Sequence, residues 1–173
     1  LINTDDSIAV FEDDSIAAVA TWEPMLSQIV KNTSRTGSKV LLSSADFEGL
    51  ITDIILVRTD DYTANPEKYA SFLRGIYRAI DVYMVDPDQF IELSASEFGV
   101  PDAEMKEALA GVRYTTYEET LEYMPADGSG KLREVFDSFN EINAALDLQD
   151  APLDYAPYID GSLLPDLFDG HTR

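Results

Sequence analysis

Trp22 and Glu23 stand side by side between an apolar run and a helical pattern, and of all the pairs in this sequence they are best suited to recognise a small molecule. An indole offers a flat apolar face and a good surface for a cation. A neighbouring carboxylate would pair with an ammonium or another donor. Trp22 is the one tryptophan among 173 residues. The same pair also reads without a ligand: Trp22 packed between a strand and a helix, Glu23 favoured by the helix dipole in a first turn. Asp53 opens the apolar run that ends at Arg58, a costly place for an unpaired charge, so it calls for a ligand or for backbone N–H partners. Thr52 precedes it. Ser43 and Ser44 close another apolar run and carry hydroxyl donors. Tyr114 and Thr115 precede a helical stretch, where packing or capping comes first and lining a binding site second.

Other chemistries lack material. There is no cysteine, which excludes disulfides, thiolate metal sites and cysteine nucleophiles. The single histidine, His171, lies in the C-terminal tail and reads as a solvated residue, leaving no Ser-His-Asp triad and no imidazole metal site. Neither GxGxxG nor GxxxxGK[ST] occurs. The clusters Glu12-Asp13-Asp14 and Asp60-Asp61 lack the spacing of a calcium loop and read as solvated turns. These absences argue against an enzyme and against any resident cofactor or metal.

Charge narrows the partners. The 33 acidic and 12 basic residues give a formal net charge of −21. Nucleic acid is excluded, because phosphate binding depends on clustered Lys and Arg. So anionic a surface keeps a protein in solution and repels anionic membranes. It suits a saline or exposed setting, where salt screens self-repulsion, as well as it suits an ordinary acidic protein. No run of apolar residues is long enough to span a bilayer, and residues 1–6 have neither the basic nor the apolar region of a signal peptide.

The elements that must hold the candidate residues follow from patterning. Residues 8–11 read as the end of a helix. Ile16–Ala20, Lys39–Leu42 and Asp53–Arg58 are short apolar runs bounded by turn residues, the pattern of buried strands. Thr21 is a suitable N-cap for a helix that carries Pro24 in its first turn and Met25, Leu26, Ile29 and Val30 on one face. From Asn65-Pro66-Glu67 onward the chain is helical. Tyr69, Phe72, Leu73, Ile76, Tyr77, Ile80, Tyr83 and Met84 recur at helical spacing, a stripe that belongs to a core. Asp86-Pro87 ends that helix and starts another up to Gly99. Pro101 opens a third through Leu109, and residues 116–124 form a turn or two. A long helix follows Gly128-Ser129-Gly130, carrying Leu132, Val135, Phe136, Phe139, Ile142 and Leu146. The tail from Asp150 wraps the surface, with one turn near Leu163–Phe168.

The segment Ser15-Ile-Ala-Ala-Val-Ala-Thr-Trp-Glu-Pro24 resembles the strand-to-helix element of the nitrate, sulfonate and taurine class of ABC solute-binding proteins, which carries D-A-x-x-x-W-x-P there. Ile16 departs from it. Further pieces match in order: the run Lys39–Ser43, then Gly49-Leu50-Ile51-Thr52-Asp53, Asn65-Pro66-Glu67 before a long helix ending in Asp-Pro, and Gly111-Val112-Arg113-Tyr114.

The resemblance implies an α/β fold, the type II periplasmic binding fold, present in part: residues 1–46 as the end of lobe two, 47–52 as the hinge crossing, and 53–173 as the end of lobe one with added helices. Strands would precede residue 60 and helices dominate after it. Ligands of this fold sit between lobes, at strand ends and helix N-termini, which implies Trp22, Glu23, Asp53, Thr52, Ser43 and Tyr114 as ligand-binding residues. The implied function is capture of a small organic solute and its delivery to an ABC permease, in the periplasm or outside the cell, with a lipid anchor on the absent N-terminal part as one way of holding it there. The partners implied are the solute, the permease and the N-terminal half of the same fold, with no membrane insertion. Two rivals share the fold: a thiamine-pyrimidine synthase-like enzyme, whose cofactor-holding Lys and His belong to the N-terminal half, and a ligand-sensing domain of a receptor.

Overall fold

A computed structural model describes residues 3, 6–22, 25–47 and 49–173. Eight α-helices follow in chain order among them: α1 Ser7–Phe11, α2 Met25–Asn32, α3 Thr59–Ala64, α4 Pro66–Val85, α5 Pro87–Phe98, α6 Asp102–Leu109, α7 Tyr117–Tyr123 and α8 Lys131–Ala145, with a 3-10 turn at Ser44–Asp46. The chain divides into two compact units, Leu1–Glu48 with Ala95–Arg113, and Gly49–Ser94 with Tyr114–Arg173.

The expected α/β fold is corrected: among the described residues there is no strand and no sheet. Ile16–Ala20, Lys39–Leu42 and Asp53–Arg58 are neither helical nor paired. Apolar runs of four to six residues carry strand propensity, yet a strand exists only when a neighbour accepts its ladder of hydrogen bonds. Burial fails as well, since Leu41, Leu42, Ile54 and Leu56 are all exposed.

In the first unit, α1 and α2 pack together. Arg35 fastens the segment between them. Its Nη1 donates to the carbonyls of Phe11 (2.8 Å) and Ile16 (2.7 Å), and its guanidinium lies 4.7 Å from the Phe11 ring centroid. Ser7 is buried and shares a 2.9 Å hydrogen bond with the Thr21 hydroxyl. Thr21, expected as an N-cap, thus spends its side chain on α1, and the Trp22 carbonyl accepts the Leu26 N–H instead. Lys31 on α2 pairs with Glu107 on α6.

In the second unit, α4 is the organising element. Pro66 sits in its first turn and Glu67 faces the positive end of the dipole. Asn65 does not cap it: its amide turns back to donate to the Asp61 carboxylate at 2.8 Å. Ala70, Tyr77 and Ile80 on α4 form the core with Leu164 and Leu167 from the tail, and Leu73, Ile76, Tyr114, Tyr117, Leu121, Met124 and Phe168 pack around them. The tail therefore fills the core where it was expected to wrap the surface. Arg74, whose side chain is 7% exposed, donates to the Leu167 carbonyl (3.2 Å) and the Ser71 hydroxyl (2.9 Å) and pairs with Glu67. Arg78 holds the Thr172 carbonyl, and Arg173 pairs with Asp81 (2.8 Å) and Glu118. The Tyr117 hydroxyl donates to the Leu164 carbonyl at 2.5 Å. On α8, buried Asn140 accepts the Leu153 N–H (3.0 Å) and donates to the Leu153 carbonyl (3.1 Å), acting as a one-residue partner for an otherwise unpaired backbone.

Candidate functional site

The six expected ligand-binding residues have contrasting settings. Trp22 is 65% exposed, three residues before the first residue of α2. Glu23 lies outside the described residues. Ser43, half-buried, caps the 3-10 turn: its hydroxyl accepts the Ala45 N–H (3.2 Å) while the Asp46 carboxylate accepts the Ser43 N–H (3.3 Å). That reciprocal box uses the hydroxyl oxygen as an acceptor and leaves its O–H able to donate.

Thr52 is half-buried and Asp53 exposed, both in the second unit. Asp53 is not in a buried strand, the setting in which it would need a partner. In water its charge carries no such demand.

Tyr114 belongs to an aromatic triangle with Tyr83 (5.1 Å between centroids) and Phe90 (5.7 Å), each pair edge-to-face. Burial raises its hydroxyl pKa above the ordinary value. Its ring serves packing. Within the second unit, the structure brings Tyr114 to Tyr83 and Phe90.

A charged depression of about 580 Å³ in the second unit was not singled out by the sequence. Arg58, Asp60, Asp61, Ala64 and Lys68 line it. Short spacing builds it: Arg58 and Asp60 bracket the start of α3, and Lys68 and Tyr69 on α4 reach back to Asp61. Arg58 forks onto Asp60 through Nε (3.1 Å) and Nη2 (2.6 Å). The Asp61 carboxylate accepts from Lys68 (2.5 Å), Tyr69 and Asn65 (2.8 Å). Hydrogen bonds from Arg58 hold the Asp60 carboxyl below its usual range, and those from Lys68 and then Tyr69 do the same for Asp61. Two cations and two carboxylates cancel, so the depression has little net field for an ion. Asp60 and Asp61, read as a solvated turn, are the first turn of α3, where the dipole favours them. The signal available in sequence was the Arg58/Asp60 and Asp61/Lys68 spacing, two short ion pairs.

Among the described residues, no group of three or more His, Cys, Asp or Glu side chains is placed to hold a metal ion, and no helix is long and apolar enough to cross a membrane. Comparison of the chain with protein-family models, with curated proteins and with solved structures finds no match.

Proposed function

We propose that the chain is the solute-binding part of an ABC importer, acting outside the cytoplasmic membrane on a small organic solute that bears a sulfonate or an amine and passing it to a permease. The ordered series of segments from Ser15 to Tyr114 supports this reading at the level of sequence. In the structure, the observation that carries it is Trp22. Trp22 is 65% exposed and lies in the resembling segment Ser15–Pro24, whereas Phe98 at 75% and Tyr158 at 64% are as open but lie outside it. A solvent-facing indole has a flat face on which a solute could stack or a cation could sit.

The test is a fluorescence titration of the whole chain with taurine, short alkanesulfonates and small primary amines, beside native mass spectrometry of the protein as purified. Because Trp22 is the only tryptophan, a saturable change in its emission reports directly on this residue. A flat signal for every probe, with no co-purifying solute, would reject the reading.

A further inference from the structure

Residues 50–57, in the second unit, join two properties that a finished surface segment does not carry together. Leu50, Ile51, Ile54, Ile55, Leu56 and Val57 are all exposed, Leu56 at 84%. Single exposed apolar residues are ordinary on any protein; six within eight positions are not. The backbone is open as well. Among the described residues, no backbone hydrogen bond begins or ends within 50–57. The segment is nevertheless fastened on both sides. The Tyr123 hydroxyl donates to the Gly49 carbonyl at 2.5 Å, and Arg58, forked onto Asp60, accepts the Tyr62 N–H at its carbonyl as α3 begins. It is held at its ends; between them residues 50 and 51 bend, Thr52 is half-buried and 53–57 are exposed.

We propose that residues 50–57 are a docking edge that receives an extended, apolar, non-acidic segment of another polypeptide by backbone pairing. Two independent features select this occupant. Unpaired N–H and C=O groups in a row are a template for another extended backbone, which a lipid surface or the face of a helix cannot match. The side chains are of the kind that line such pairings, with Ile51, Thr52, Ile54, Ile55 and Val57 all β-branched. Charge then selects among extended segments. Asp53 is the sole ionisable residue in the run, and the chain around it carries −21. An acidic segment is repelled, and a second copy brings the same charge to the encounter.

Hydrogen exchange on the full chain tests the proposal with a short peptide alternating Val and Thr between terminal lysines. Two controls accompany it: the same peptide with terminal glutamates, and the lysine peptide N-methylated at alternate residues, which keeps side chains and removes backbone donors. The lysine peptide should slow exchange of alternate amides within 50–57, and the glutamate peptide should bind more weakly by on the order of tenfold at low salt. The N-methylated peptide should give no protection. Ile54→Pro and Ile55→Pro each remove an N–H that bonds nothing among the described residues, so both variants should melt like the parent while one of them loses protection. Three results would overturn the proposal: no protection of 50–57 by the lysine peptide, equal protection by the N-methylated one, which is mere apolar adhesion, or protection that rises with the concentration of the chain alone, which is a second copy.

Discussion

Arg74 shows how one residue ties distant parts of a chain together. Its guanidinium meets Leu167 across 93 positions, while its ion pair with Glu67 faces water on the Glu67 side. The two contacts should differ sharply in worth. Arg74→Met keeps much of the volume but leaves a buried carbonyl without its donor, which costs about 1–3 kcal/mol. Glu67→Gln takes the counter-charge from a guanidinium that is 7% exposed but keeps an amide oxygen to accept from it, so the urea midpoint should fall by less than in Arg74→Met. Equal effects of the two substitutions would show that the ion pair, not the bond to Leu167, fixes the tail. At Trp22 the expectation concerns binding: Trp22→Ala should weaken capture of a responsive solute by about 1–3 kcal/mol without lowering the melting temperature, since an exposed ring holds little of the fold. Glu23→Gln in the same titration separates recognition of a cation from simple stacking. Neither Arg74 nor Asn140 stood out in the sequence, because nothing in a helical stripe marks the one polar residue that faces inward.

At the level of elements, legibility follows the distance over which the cause acts. Helices α4, α5, α6, α7 and α8 were readable, since Pro66, Pro87, Gly99 and the apolar periodicity act within a few residues of the element they define. The apolar runs 16–20, 39–42 and 53–58 carry the pattern of strands, and propensity alone does not supply the neighbour that a strand needs. Of the candidate site, the exposure of Trp22 and the packing of Tyr114 depend on tertiary neighbours and were settled only by the structure. Two local devices can be weighed. Thr116 caps α7, accepting the Glu119 N–H at 3.2 Å while Glu119 accepts the Thr116 N–H at 2.9 Å, so Thr116→Ala should cost about 0.5–2 kcal/mol in denaturant titration. Gly130, at φ 91° before α8, leaves no room for a methyl: a Cβ would stand 2.5 Å from Pro125 Cδ and 2.8 Å from the Tyr123 carbonyl oxygen. Gly99 ends α5 at φ 68° in open space. Gly99→Ala should cost about 1–2 kcal/mol from backbone strain alone, and Gly130→Ala clearly more. The reverse order would mean that the loop before α8 yields easily.

For the molecule as a whole, the −21 charge sets the response to solvent. Hydrogen bonds hold the carboxyls of Glu12, Asp13, Asp61, Glu67, Glu118 and Asp127 below their ordinary values. A lowered folded-state value means that the contribution is whole above the unfolded value, about pH 4, and disappears as pH falls through the folded one. Self-repulsion runs the other way, fading as pH approaches the sequence pI of about 4.1. The melting temperature should therefore hold or rise from neutral pH toward about 5 and then drop below about 4. At neutral pH it should rise as salt goes from roughly 0.01 to 0.15 M, because the screening length shrinks from about 30 to 8 Å. In acid, the hydrogen bond from Arg173 keeps the Glu118 carboxyl charged below its ordinary value, so amides near the C-terminus should begin to exchange only as pH falls through that lowered value. A melting temperature that falls with added salt would show that attractive ion pairs outweigh repulsion.

The burial of Leu167 at 1% exposure within the second core has a consequence for biosynthesis. The face of α4 that it covers leaves the ribosome long before it does, since Arg74 precedes Leu167 by 93 residues. At about 5–20 residues per second, that face waits roughly 5–20 s for its final neighbours. During the wait Ala70, Tyr77 and Ile80 lack the neighbours that complete their core, so the second unit reaches its full packing only once residues 164–167 have emerged.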